Sequence, residues 1–168
     1  LESILARSSQ AYNQWKETSI ESRGEILSRL AGLAEQNKGQ LAALLTREMG
    51  KPLVQAEAEI MRLAAVARYY AENADGILRA ERLAEVEEKQ ALVRHDPLGV
   101  VLAITPWNYP ASLLARSAIP ALVAGNTVLL KPAPNVPGIS LAIERLFLQA
   151  GFPEGVFQVV FLSNEQAG

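Results

Sequence analysis

Apolar positions along the chain change their period near residue 95. Before it they recur at helical spacing. Ile4, Leu5, Ala11, Tyr12 and Trp15 fall near one face of an opening segment, and Ile26, Leu30 and Leu33 follow at steps of four and three. Asn37-Lys38-Gly39 reads as a break. Leu41, Leu44 and Leu45 restart the pattern, which Met49-Gly50-Lys51-Pro52 then stops. A further helix is predicted over 53–74, with Val54, Met61, Ala65 and Tyr69 among its buried positions. Heptads are not sustained, so a coiled coil is not expected. Between 83 and 94 the pattern loosens to alternation, with Leu83, Val86, Ala91 and Val93 set among charges. That predicts a short hairpin with one wet face, the run Glu85, Glu87, Glu88 and Lys89 being its solvated side.

The continuous apolar run Val100-Val101-Leu102-Ala103-Ile104 predicts a strand covered on both sides. A helix over 111–124 stops at Gly125-Asn126. A second buried strand follows over 127–130, a helix over 136–150 closed by Gly151, and a third strand over 156–162. Strand–helix–strand–helix–strand order argues a parallel sheet with right-handed crossovers. The fold class is therefore α/β. A helical preface spans 1–80, a hairpin 81–96, and an incomplete nucleotide-binding βαβαβ unit 97–168. No internal repeat is visible.

Composition narrows the function. The 168 residues are 49% hydrophobic and 20% charged, which excludes a disordered chain. Net charge is −2, so the basic footprint of a nucleic-acid binder is missing. No apolar stretch approaches the ~20 residues of a membrane helix. With no cysteine and one histidine, the chain holds no disulfide scaffold, thiol nucleophile or Cys/His metal cluster. It opens on Leu1 without a signal-peptide pattern, and the expectation is cytoplasmic. Both ends look cut, so the chain reads as part of a longer protein.

Open parallel sheets bind ligands beyond the carboxyl ends of their strands. Two proline-stiffened loops belong there, Thr105-Pro106-Trp107-Asn108-Tyr109-Pro110 and Lys131-Pro132-Ala133-Pro134-Asn135. Each carries one polar residue able to act, Asn108 and Lys131. Stiffness suits a donor that must stand in place before charge develops. Turn chemistry for Asn108 and a solvated strand edge for Lys131 remain open alternatives. Gly-x-Gly-x-x-Gly is absent. His95 reads as a structural or surface residue, and Glu57 and Glu59 as a solvated helix face.

The ordered stretch Asp96-Pro97-Leu98-Gly99-Val100-Val101, Ile104 to Pro110, Pro120-Ala121-Leu122 and Gly125 to Pro132 resembles the aldehyde dehydrogenase superfamily. Glu48-Met49-Gly50-Lys51-Pro52 upstream and Gly151-Phe152-Pro153 with Gly155-Val156 downstream extend the likeness over nearly the whole chain. Its wording is most similar to the succinate-semialdehyde branch. The resemblance implies a catalytic role for Asn108, whose amide would hold the oxyanion of the tetrahedral intermediate. It implies that Lys131 contacts the adenosine ribose of NADP or NAD, and that Ile104, Thr105, Pro106 and Trp107 line the cofactor path. Arg116 matches an arginine that grips a substrate's distal carboxylate; a plain helix-surface arginine is the alternative.

Pro134 stands where many NAD-preferring relatives carry a ribose-binding glutamate, so NADP is expected to be tolerated. Ala133 cuts the other way, since some NADP users have serine there. The family's cysteine nucleophile and glutamate base have no counterpart here. The resemblance thus implies an N-terminal portion, inactive alone, of an enzyme that oxidises a small aldehyde and assembles as a homo-oligomer. The 81–96 hairpin resembles the part used for oligomer contacts. A non-catalytic assembly or binding module left by a truncated gene is the rival expectation.

Overall fold

The computed structural model describes residues 1–86 and 89–167. Four helices open the chain: α1 (Glu2–Trp15), α2 (Ile20–Gln36), α3 (Lys38–Met49) and α4 (Leu53–Leu78). An antiparallel hairpin of β1 (Glu81–Val86) and β2 (Lys89–Val93) follows. The remainder alternates: β3 (Val100–Ile104), α5 (Pro110–Val123), β4 (Thr127–Lys131), α6 (Pro137–Ala150), β5 (Phe157–Val159) and a short α7 (Asn164–Ala167). Strands β3, β4 and β5 pair in parallel in that order. The α/β architecture and the parallel sheet expected from the pattern are present.

Helix stops follow the chemistry of their last residues. Gly50 ends α3 at φ 73 and Gly151 ends α6 at φ 102, left-handed positions that suit glycine. Pro110 and Pro137 open α5 and α6, where a missing N–H costs nothing. One hydrophobic cluster joins the two parts. Trp15, Leu27, Leu30, Leu45, Ile60 and Leu63 from the helical layer pack with Leu114, Ile119, Val128, Leu130, Phe147 and Phe157. The Trp15 indole donates to the Leu122 carbonyl at 2.9 Å.

The helical layer also supplies polar ends to both crossover helices. Arg23 donates to the Val123 carbonyl at 2.6 Å and Arg29 to the Ala150 carbonyl at 2.8 Å, at the C-terminal ends of α5 and α6. Burial pushes the Arg23 guanidinium below its ordinary range; its Nη2 donates to the further carbonyls of Lys16 and Thr18, while its Nε is buried without a hydrogen-bond partner among the described residues. At the opposite ends stand two carboxylates. Glu48 accepts from the amides of Gly138 and Ile139 at 2.6 and 2.9 Å, and Glu59 from those of Ala111 and Ser112 at 2.9 and 3.2 Å. Each helix therefore has an anion at its positive end and a cation at its negative end, as the macrodipole favours.

Several expectations need correction. Helix α4 buries Ala56, Glu59, Ile60, Leu63, Ala64, Ala67 and Ala74. Val54, Met61, Ala65 and Tyr69 are exposed instead. Alanine carries a weak hydrophobic signal, so the larger residues on the opposite face mislead a reading by size. Glu59, expected in solvent, is fully buried, whereas Glu57 is half-buried and pairs with Lys38 at 3.3 Å.

Strand β3 is not covered on both sides: Val100, Leu102 and Ile104 are exposed on one face while Ala103 is buried on the other. Strand β5 spans three residues rather than seven. In the hairpin, residues 81–83 and 91–93 are all exposed, so the described part is wet on both faces. Of the run Glu85, Glu87, Glu88 and Lys89, Glu87 and Glu88 lie outside the described residues, while Glu85 and Lys89 fall in β1 and β2. His95 is exposed.

Candidate functional site

The carboxyl ends of β3 and β4 lie side by side because their registers match residue for residue, Ile104 pairing with Lys131. Just beyond, the Thr105 amide donates to the Lys131 carbonyl at 3.1 Å and ties the two loops together. Ile104 and Lys131 share a face of the sheet, the one left largely open beside β3. Ile104 is 58% exposed and Lys131 only 6%. No ion pair among the described residues engages the Lys131 ammonium. Ala133 is half-buried against the core and Pro134 is exposed. Such an arrangement offers an extended apolar wall to a ligand crossing the strand ends and, at Lys131, a buried cation with no ion-pair partner among the described residues.

Thr105 is buried, while Pro106, Trp107, Asn108 and Tyr109 are exposed. The Asn108 amide makes no hydrogen bond among the described residues, but its backbone carbonyl accepts from Lys51 at 2.9 Å. Tyr109 links this loop to a second feature. It lines a 510 Å³ pocket between α4 and α5 together with Arg62, Ala65, Val66, Ser112, Leu113 and Arg116. Arg116 is exposed, and neither arginine has an ion-pair partner among the described residues. The Ser112 hydroxyl, also on this wall, is buried without a hydrogen-bond partner. Two guanidinium groups over an apolar floor suit an elongated ligand ending in a carboxylate.

Parallel sheets commonly bind phosphate at the N-terminus of a crossover helix. Neither α5 nor α6 is free to do so, because Glu59 and Glu48 already occupy those amides. This agrees with the absent glycine fingerprint: pyrophosphate has no backbone cradle on these two helices.

Sequence reasoning missed Arg62 and the buried Lys51–Glu59 pair. A signal for Glu59 existed. It sits three residues after Ala56 and four before Leu63, inside the alanine-and-leucine stripe, where a lone carboxylate requires a partner.

A three-stranded parallel sheet, with the Asn108 loop and the buried Lys131 at its carboxyl edge, defines an open α/β class of fold rather than one enzyme. Over residues 1–168 the chain matches the aldehyde dehydrogenase family model, and it belongs to the aldehyde dehydrogenase family. A probable succinate-semialdehyde dehydrogenase (NADP(+)) of Synechocystis sp. is 41% identical over 94% of this chain and 35% of its own length. The succinate semialdehyde dehydrogenase (NAD(P)+) Sad of Escherichia coli K12 is 40% identical over 98% and 36%. Among solved structures, Gox0499, studied for its cofactor and substrate selection, aligns with a TM-score of 0.95 at 41% identity. That alignment covers 99% of this chain and 36% of Gox0499. The succinic semialdehyde dehydrogenase of Streptococcus pyogenes in complex with NADP+ aligns at 0.93 with 31% identity, over 99% of this chain and 36% of that one. The chain thus spans about a third of the length of these relatives.

Proposed function

We propose that these residues form the N-terminal third of an NAD(P)-dependent dehydrogenase that oxidises an acid-bearing aldehyde, succinate semialdehyde first among candidates, to its carboxylate. Aldehyde, water and oxidised dinucleotide give carboxylate, reduced dinucleotide and two protons. The observation that carries the reading is the Asn108 amide, without a hydrogen-bond partner among the described residues, on a loop whose next residue, Tyr109, walls a pocket with two arginines unpaired among those residues. Names of relatives support the same substrate and cofactor classes.

Each residue has a task. Asn108 donates to the oxyanion that forms when a nucleophile adds to the aldehyde carbon; an uncharged donor steadies this charge without trapping it. Arg116 orients the far carboxylate, which places the aldehyde carbon near Asn108. Lys131 holds the adenosine ribose, and Ile104, Thr105, Pro106 and Trp107 border the dinucleotide. The dinucleotide, when bound, accepts the hydride. This chain contains no cysteine, so the thiol that attacks the aldehyde belongs to residues outside it.

The test compares two samples. The complete polypeptide carrying these residues should reduce NADP when given succinate semialdehyde, and the 168-residue chain alone should not. Turnover by the isolated chain above a protein-free control overturns the division of labour; no turnover by the complete polypeptide overturns the function. The rival reading is a non-catalytic assembly module, and the exposed described faces of the hairpin favour it. In the dehydrogenase reading, that hairpin serves homo-oligomer contacts. Activity in the complete polypeptide separates the two.

A further inference from the structure

Asn108 is exposed and its amide is unpaired among the described residues, so its aim depends on the peptide that carries it. That peptide is gripped from outside the loop. The Lys51 ammonium donates to the Asn108 carbonyl at 2.9 Å, lies 3.9 Å from the centroid of the Tyr109 ring, and pairs with Glu59. Through its other oxygen Glu59 accepts from the amides of Ala111 and Ser112 at 2.9 and 3.2 Å. Two side chains from the helical layer therefore hold residues 108, 109, 111 and 112. Both are deeply buried, with side chains 5% and 0% exposed. The backbone of Lys51 lies between the left-handed Gly50 and Pro52, and a residue before proline is restricted to extended conformations.

We infer that Lys51 and Glu59 are positioning residues for Asn108, a buried bracket that fixes the peptide from which the oxyanion-binding amide projects. This rests on the functional reading above, in which Asn108 meets the oxyanion. Capping of α5 accounts for Glu59, but stability is a poor explanation for the ion pair that Lys51 adds to it. Desolvating two charges offsets most of their attraction, and an apolar pair of similar volume serves folding about as well. An apolar pair offers no donor to the Asn108 carbonyl and no acceptor to the first amides of α5. Without the donor, that carbonyl turns toward water and its peptide rotates. The side-chain amide rotates with it. An oxyanion donor acts only if it is in place before charge forms, and displacement by about 1 Å costs on the order of a hundredfold in rate.

The test is made in the complete dehydrogenase polypeptide with Lys51→Met, Glu59→Gln, Lys51→Arg and Asn108→Ala, and with the first two combined with Asn108→Ala. Lys51→Met and Glu59→Gln are expected to lower kcat roughly 10- to 100-fold. KM for succinate semialdehyde and Kd for NADP, read by fluorescence titration, should stay within about twofold, since uniform binding is untouched. Lys51→Arg restores most of the rate, because it keeps a buried cationic donor. In the Asn108→Ala background the same substitutions cost nothing more, since residues acting through one group are not additive.

Losses that multiply with Asn108→Ala overturn the bracket, as do losses confined to KM or to NADP affinity. If Lys51→Met does not fold, Glu59→Gln carries the test, since it keeps an acceptor for both α5 amides. Failure of every variant to fold makes the pair a folding element and also overturns the inference. Unchanged kcat in Asn108→Ala removes the underlying functional reading. An impaired Asn108→Ala beside unimpaired bracket variants removes the bracket alone.

Discussion

Pro134 is exposed and uncharged beside Lys131, so nothing on that residue repels a phosphate carried by an adenosine ribose. Restoring a carboxylate there places like charges close together, worth on the order of 1–2 kcal/mol at an effective dielectric near that of a protein surface. Pro134→Glu in the complete polypeptide is therefore expected to lower kcat/KM for NADP relative to NAD by about tenfold or more. An unchanged ratio means that Lys131 and its neighbours do not meet the ribose. Arg62 and Arg116 invite a parallel measurement. Losing a charge-assisted hydrogen bond costs about 1.5–3 kcal/mol, so either arginine changed to leucine should raise KM for succinate semialdehyde tenfold or more. KM for an uncharged aldehyde of the same length should hardly move. Equal losses on both substrates make the arginines part of the scaffold. Arg116 is singled out only through likeness to the succinate-semialdehyde branch; Arg62, on another helix, becomes its neighbour only through packing of α4 on α5.

At the scale of elements, the capping of the crossover helices is the least legible part of the molecule. Periodicity and glycine stops located α5 and α6 within one residue or so. Nothing in their own sequences reveals that Glu48 and Glu59 sit at one end and Arg23 and Arg29 at the other, across 90, 52, 100 and 121 residues of chain. The helices carry no acidic residue in their first turns and no basic residue in their last. Neither has a capping side chain of its own, so the caps are tertiary. Glu48→Ala is expected to cost about 1–2 kcal/mol, by analogy with losing an N-cap and its interaction with the dipole. Gly138→Ala should act on the same contact, because a Cβ there stands 2.6 Å from the Glu48 carboxylate. Denaturant unfolding of single and double variants checks this: the two losses should not add. Full additivity separates Gly138 from the cap.

For the whole molecule, the instructive failure is β3. Five consecutive apolar residues read as a strand buried on both faces, and β4 fits that description with all of its positions buried. Strand β3 does not, because the pattern records the surroundings a strand suits and not which segments supply them. Its outer edge bears no paired strand among the described residues, and Val100, Leu102 and Ile104 are 37, 46 and 58% exposed. Leu1, Leu5, Val100, Leu102, Leu129, Val160 and Leu162 line a 220 Å³ groove on this side, so α1 covers one end of the face only. An apolar face next to an open parallel edge is a template for association.

The 168-residue chain on its own is therefore expected to exceed its monomer mass of 18.2 kDa in light scattering, increasingly so with concentration. Leu102→Lys places a charge in the middle of that face without touching the buried side, where Val101 and Ala103 pack, and should shift the population toward monomer. The same substitution at Leu92, exposed on the hairpin, separates the two surfaces. Association that persists in Leu102→Lys and disappears in Leu92→Lys would assign it to the hairpin. A monomeric parent chain would mean that the open face of β3 tolerates water at no visible cost.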